Sequence, residues 1–181
     1  GGEDDGFAFT DYNVVTNAWH YAALKQMEGI AGALGKQDDV AFYASESDAF
    51  KKRFIRSFFD VRKGYFTDGL AADTDHASLH GNMFPLAFDL VPAGKKQNVV
   101  DFIQTRGMAC SVYGSQFLMD ALYEANDAEY ALHMLTKTDD RSWYNMIRVG
   151  STISLEAWDN KYKPNQDWNH AWGAAPANII P

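Results

Sequence analysis

The chain has 181 residues, with 16 Lys and Arg against 24 Asp and Glu and a formal net charge of −8. A composition of 46% hydrophobic and 22% charged residues is that of a globular domain, which excludes a largely disordered chain, a collagen and a low-complexity tail. The acidic balance argues against duplex DNA or an anionic membrane as partner, no apolar run approaches the roughly 20 residues that span a bilayer, and the single cysteine, Cys110, excludes an internal disulfide framework and a multi-cysteine zinc site.

In chain order, the opening Gly1-Gly2-Glu3-Asp4-Asp5-Gly6 is an acidic loop and no signal peptide. From Asp11 to Leu34 apolar residues recur at helical spacing, at Trp19, Ala23, Met27, Ile30 and Leu34, and are expected to form the inward face of a first helix. Gly35 supplies its stop. A second stripe runs through Tyr43, Ser47, Phe50, Phe54 and Phe58. The short link between the two predicts an antiparallel helix hairpin. Residues 63–69 read as a turn or small hairpin. A third stripe follows at Leu79, Met83, Leu86 and Leu90, with Pro85 inside it to kink or split the helix.

Helices are then expected over Lys96 to Arg106, with Val99, Phe102 and Ile103 inward, and over Ser115 to Asn126, with Leu118, Ala121, Leu122 and Ala125 inward. Asp127 is placed to N-cap the next, which runs through Ala128, Ala131, Leu132 and Leu135. Ser151 to Leu155 is the one stretch with a short extended reading. The result is an all-α fold of successive helical hairpins in a single unit, 1–181, without an internal boundary. The acidic start and the apolar ending at Pro181 suggest a piece of something longer.

Most of the unusual residues fall in the last quarter. Glu156 lies between Leu155 and Ala157, with Trp158 two positions on. A carboxylate in such company is expected to have a raised pKa suited to general acid or base work; a surface or helix-capping Glu is the plainer reading. His170 stands between Trp168 and Trp172, as a core residue or a site residue. Trp beside carboxylates and a His is also how sugar sites are built, since a pyranose offers C–H faces to stack and hydroxyls to bond. His76 and His80, four apart, would share a helix face, but no third ligand has matching spacing and no metal is expected. Cys110 reads as a small buried residue, His133 as a helix-surface residue and Lys51-Lys52-Arg53 as a solvated face. No dinucleotide, phosphate-loop, serine-elbow or His-Glu-x-x-His motif is present, and no cofactor is called for.

The string from Gly150 through Glu156, Trp158 and Asp159, followed by Asp167-Trp168-Asn169-His170-Ala171-Trp172-Gly173, resembles the bacterial α-L-rhamnosidases of glycoside hydrolase family 78. The stretches Asp5-Gly6-Phe7, Tyr12 to Tyr21, His76 to Asn82, Phe84-Pro85-Leu86, Tyr113-Gly114-Ser115 and Arg141-Ser142-Trp143 are similar to that family as well, so the resemblance covers essentially the whole chain.

The resemblance implies an (α/α)6 barrel, of which 181 residues would form the C-terminal portion, with the remainder of the catalytic barrel as its partner. It implies inverting hydrolysis of terminal α-L-rhamnosyl units on an oligosaccharide, polysaccharide or glycoside. Glu156 would be the general base, His170 would bond a rhamnose hydroxyl, and Trp172 and Trp158 would wall the site by stacking on the ring or packing behind Glu156. Trp19 would do the same from the inner-helix side or serve the core. The family's general acid lies in an acidic segment with an Arg and a Gly-Trp that is not found in this sequence, so the isolated chain is expected to be inactive. Rival readings are a six-hairpin glycosidase of another sugar specificity and an inactive carbohydrate-binding fragment. The compartment is left open, with a lean to secreted or periplasmic.

Overall fold

The computed structural model describes residues 3–179. Helix α1 spans Val14–Ala33 and α2 spans Gln37–Phe58. The Asn13 side chain caps α1 by accepting from the Thr16 N–H at 2.8 Å. At its other end Gly35 takes φ +71°, and the Lys36 N–H reaches back to the Ala31 carbonyl at 2.9 Å, the left-handed stop that glycine permits. The two helices pack along each other as the first hairpin.

The stripe on α2 faces inward as expected, with Ser47, Phe54 and Phe58 buried and Tyr43 and Phe50 half-buried. The stripe on α1 does not. Its buried face is Val14, Ala18, Tyr21 and Ala22, while Trp19, Ala23, Met27, Ile30 and Leu34 lie on the other side and are exposed, Ile30 by 52% and Leu34 by 66%. Helix α1 thus buries Val14, Tyr21 and its alanines and presents Met27, Ile30 and Leu34 outward.

A two-stranded antiparallel ribbon follows, β1 (Phe59–Asp60) against β2 (Tyr65–Phe66), the small hairpin expected near residues 63–69. Asp60 accepts the backbone N–H groups of Arg62 and Lys63 at 2.8 and 3.2 Å, and these bonds hold its carboxyl below the usual range. Buried Asn82 accepts from the Phe66 N–H at 2.9 Å and donates to the Phe66 carbonyl at 3.1 Å, fastening the ribbon to the next helix.

Helix α3 spans His80–Ala87. Pro85 lies inside it, and the helix ends two residues later, with Leu90 N–H bonding back to the Pro85 carbonyl. The proline therefore ends α3 early and Leu90 is buried beyond its end. Asp68, completely buried, accepts from the Ala8 N–H (2.9 Å), the Ser78 N–H (2.9 Å) and the Ser78 hydroxyl (2.7 Å). Asp5 accepts from the Leu79 N–H at 2.6 Å and from Arg106 Nε at 2.8 Å. Together they pin the acidic N-terminal loop to the start of α3.

The remaining helices are α4 (Lys96–Arg106), α5 (Gly114–Glu124), α6 (Ala128–Thr136), α7 (Trp143–Arg148), a 3-10 turn over Ala171–Ala174 and α8 (Ala175–Ile179). Asp127 caps α6 by accepting from the Tyr130 N–H. On α6 the inward residues are Ala131 and Met134, while Leu132 is 54% exposed, so the face expected from Leu132 is turned outward. Leu79, Met83, Ile103, Leu118, Met119, Leu122 and Trp158 meet in a continuous core. No strand forms over residues 151–155. No described helix is long and apolar enough to cross a membrane.

Candidate functional site

Helix α7 ends at Arg148, and Gly150, at φ +98°, turns the chain into an irregular stretch that residues 166–173 join edge to edge. The His170 N–H donates to the Ser154 carbonyl and the Ser154 hydroxyl donates to the His170 carbonyl, both at 3.0 Å. The Glu156 N–H donates to the Asp167 carbonyl at 3.1 Å, and the Ala157 N–H donates to Gln166 Oε1 at 2.9 Å. Helix α7 supports the pair from below. Asn145 Nδ2 donates to the Trp158 carbonyl at 3.0 Å, and Trp143 Nε1 donates to the Gly173 carbonyl at 2.8 Å. Gly173 fits because it lacks a side chain: a Cβ there would stand 2.6 Å from the Leu155 carbonyl oxygen.

Along the first stretch Leu155, Ala157 and Trp158 turn into the core, while Glu156 turns the other way. Its Oε1 is ion-paired with Lys163 Nζ and its Oε2 accepts from the Asp167 N–H at 3.0 Å. The expected raised pKa is therefore corrected. The Lys163 hydrogen bond first, then the Asp167 N–H, hold the Glu156 carboxyl below the ordinary carboxylate range. Its neighbours in sequence are apolar, but its neighbours in space are an ammonium and an amide.

His170 is half-buried at the head of the 3-10 turn, and its Nδ1 accepts from the Trp172 N–H at 3.4 Å. In the neutral ring that bond leaves the proton on Nε2, which can donate. The imidazole stacks on the Trp172 indole with centroids 4.0 Å apart. Trp172 donates through Nε1 to the Glu156 backbone carbonyl at 2.8 Å, so the ring is fixed to the Glu156 stretch with 36% of its residue surface open.

Trp158 is placed elsewhere. It has no exposed surface, lies edge-on to Trp143 at 4.9 Å and donates to the Cys110 carbonyl at 2.7 Å. It has no face to offer a sugar, so stacking on the ring is ruled out and its place is in the core behind the Glu156 stretch.

Trp19 packs against Phe84, Phe88 and Phe117 at 5.0–5.5 Å and keeps 38% exposure. A chain of rings runs from Trp19 through Phe117 and Tyr113 to Trp172 and His170, at 5.1, 5.8, 5.3 and 4.0 Å. The sequence gives no sign that Tyr113 and Phe117 bridge these rings, because only the start of α5 brings them between two distant segments.

Lys163 carries no signal in the sequence, and Glu3 lies in an acidic run that lacks the context of the family's acid segment. The Glu3 carboxyl is pushed up, mainly by burial, against the opposing effects of the Trp158 backbone N–H and Arg141 and with the aid of the Glu156 charge. Its Oε1 is buried and makes no hydrogen bond among the described residues. Glu3 also borders a cavity of about 520 Å3 lined by Phe7, Phe9, Asn13, Val15, Thr16 and His80. Glu156 does not line this cavity; Glu3 stands between the two. Only the fold signals these residues, since the acidic run at 3–5 carries no motif.

The two histidines considered for a metal do not share a helix face. His76 precedes α3 and bonds Asp68 Oδ2 at 2.6 Å, whereas His80 opens α3 and is held below its usual pKa by burial. No three His, Cys, Asp or Glu side chains converge among the described residues. Cys110 is buried and its thiol is pushed up to about 12, mainly by desolvation.

The arrangement thus gathers a carboxylate whose side chain is 11% exposed, an imidazole and a partly exposed indole stacked on it. Groups of these kinds can take a proton from water, bond a hydroxyl and pack against a ring. The family described as the bacterial alpha-L-rhamnosidase 6 hairpin glycosidase domain matches residues 2–181. No curated protein sequence matches significantly. Among solved structures, the chain is similar in fold to the alpha-L-rhamnosidase of Dictyoglumus thermophilum (TM-score 0.73, 22% identity, 87% of this chain and 18% of that one). It is also similar to the native alpha-L-rhamnosidase of Aspergillus terreus (0.76, 20%, 97% and 21%). A third is the Streptomyces avermitilis alpha-L-rhamnosidase complexed with L-rhamnose (0.70, 20%, 97% and 18%). The chain spans about a fifth of the length of each of these.

Proposed function

The chain belongs to the bacterial α-L-rhamnosidase six-hairpin glycosidase domain family, and on that premise we propose that it supplies the general base and part of the sugar site of an inverting glycosidase acting on terminal α-L-rhamnosyl units. Glu156 takes a proton from a water molecule as the water oxygen forms its bond to the anomeric carbon. The bond from that carbon to the aglycone oxygen breaks, and a separate carboxylic acid protonates the departing oxygen. The resemblance places that acid in a segment not found here. Glu3 is not assigned this part, because its carboxyl is engaged with the Trp158 backbone N–H, behind the Glu156 stretch.

A general base must be ionised when water arrives, and the observation that carries the reading is the setting of Glu156. Its carboxylate is held in the charged form by Lys163 and the Asp167 N–H, beside the Trp172 and His170 rings. His170 bonds a sugar hydroxyl through Nε2. Trp172 gives an apolar face to the pyranose, and the 6-methyl group of rhamnose suits such a wall.

The experiment is hydrolysis of a chromogenic aryl α-L-rhamnoside by the longer parent polypeptide and its Glu156→Gln form. The parent is expected to be active and the variant to lose about 10²–10⁴-fold in kcat with little change in binding, while residues 1–181 alone are inactive. Wild-type kcat in the variant would move the base elsewhere. An inactive parent that turns over another aryl glycoside would change the sugar, and one that binds rhamnose without turnover would make this a binding fragment.

A further inference from the structure

The Lys163 ammonium takes up one oxygen of Glu156, and the loop that brings it there has a further consequence for the geometry of that carboxylate. The loop that carries Lys163 is built rather than loose. Tyr162 N–H bonds the Asp159 carbonyl at 3.1 Å and Gln166 N–H bonds the Lys163 carbonyl at 3.0 Å. Gln166, only 6% exposed, ties the loop down by accepting from the Ala157 N–H at 2.9 Å and donating to Asn160 Oδ1 at 2.8 Å. On the outer side the Tyr162 hydroxyl donates to Asp140, and Lys161 pairs with the same carboxylate. The loop is therefore tied to Ala157, next to Glu156, and delivers an ammonium to the Glu156 carboxylate.

We propose that Lys163 is a positioning residue for Glu156, fixing one carboxylate oxygen while the Asp167 N–H fixes the other, so that the carboxylate is held in one orientation toward the water it deprotonates. This deepens the proposed function and rests on it for the catalytic part alone. Two point contacts on the two oxygens remove rotation about the terminal bond of Glu156, and a base held in one geometry avoids a reorganisation cost at each turnover. The other titratable neighbours are His170, in the second stretch, and Glu3, in the N-terminal loop, whose own carboxyl is raised in part by the Glu156 charge.

The test uses Lys163→Met and Lys163→Arg in two settings. In residues 1–181, carbon-13 NMR of the Glu156 side-chain carboxyl follows its titration directly, with no need for turnover. Lys163→Met is expected to move that titration to higher pH, and Lys163→Arg, which keeps the charge, to leave it near wild type. In the longer parent the acidic limb of the kcat/KM profile should move the same way for Lys163→Met and be restored in Lys163→Arg. An unshifted titration in a Lys163→Met chain of wild-type circular dichroism would overturn the proposal. A shifted titration with an unshifted pH profile would keep the ion pair and remove Glu156 as the base, which separates failure of this inference from failure of the proposed function. If Lys163→Met does not fold, Lys163→Gln is titrated in its place and read by the same criteria.

Discussion

Glu156 and Asp167 are tied to each other twice: the Glu156 N–H donates to the Asp167 carbonyl at 3.1 Å, and the Asp167 N–H donates to Glu156 Oε2 at 3.0 Å. The side chain proposed to do chemistry is thus held by the backbone of the stretch that carries His170 and Trp172. Any change that separates the two stretches should disturb the carboxylate and the sugar-facing rings together.

His170→Ala removes the Nε2 donor, the stacking partner of Trp172 and the acceptor for the Trp172 N–H. In the longer parent it is expected to lower kcat/KM for an aryl α-L-rhamnoside by about 10-fold or more, roughly the worth of one hydrogen bond to substrate. KM should rise, because the hydroxyl contact is present in the ground state. Steady-state kinetics checks it, and unchanged KM and kcat would leave His170 a structural cap of the 3-10 turn.

Gly173→Ala tests the seam itself. The added Cβ would meet the Leu155 carbonyl oxygen at 2.6 Å and Ser154 Cβ at 2.7 Å, and neither is the free end of a flexible side chain. Relieving that overlap pushes the stretches apart at a cost of about 1–3 kcal/mol. Chemical denaturation of the wild-type and variant chains should show the loss as a lower midpoint at an unchanged slope. An unchanged midpoint would mean that the seam yields without cost.

Much of the fold is legible in the sequence where the signal is local. The helix over Lys96–Arg106 follows from its apolar spacing, the stop of α1 from Gly35, and the cap of α6 from Asp127. What fails is the choice between two apolar faces of one helix. On α1 both sides are apolar, and the side that carries Val14, Ala18, Tyr21 and Ala22 is the one the rest of the chain covers. The site fails in the same way. Glu156, Ala157 and Trp158 are consecutive, yet they point to opposite sides of an irregular strand-like stretch, so the carboxylate escapes the apolar company that its neighbours keep. The partners that set its ionisation, Lys163 and the Asp167 N–H, are seven and eleven positions away and no periodicity announces them.

The Glu3 carboxyl carries a pH prediction with a definite sign. Burial raises its pKa in the folded chain, so protonation favours the fold. That contribution is fully present below the unfolded-state value, near 4.3 for a glutamate, and is lost as pH rises through the folded-state pKa. Glu3→Gln has no charge to bury. Its melting temperature relative to wild type is therefore expected to be higher at pH 7 than at pH 4, with the difference closing as the wild-type carboxyl becomes protonated. Thermal melts at both values check it, and a difference independent of pH would show that Glu3 keeps its charge at no cost.

The outward stripe of α1 makes the last prediction. Met27, Ile30 and Leu34 are 41%, 52% and 66% exposed and lie on one side of α1, with Phe42 of α2 at 58%. An apolar row of that length on a surface is a contact face more often than bare solvent-exposed helix, and on our reading the remainder of the catalytic barrel covers it. The isolated chain should then self-associate through this row. Ile30→Glu with Leu34→Lys should lower its association, read by analytical ultracentrifugation, with little loss of stability, because neither residue is part of the packed face of α1. In the longer parent the same pair should destabilise the fold, since the two charges would be buried there. A parent that tolerates both charges with an unchanged melting temperature would show that nothing in it covers the stripe.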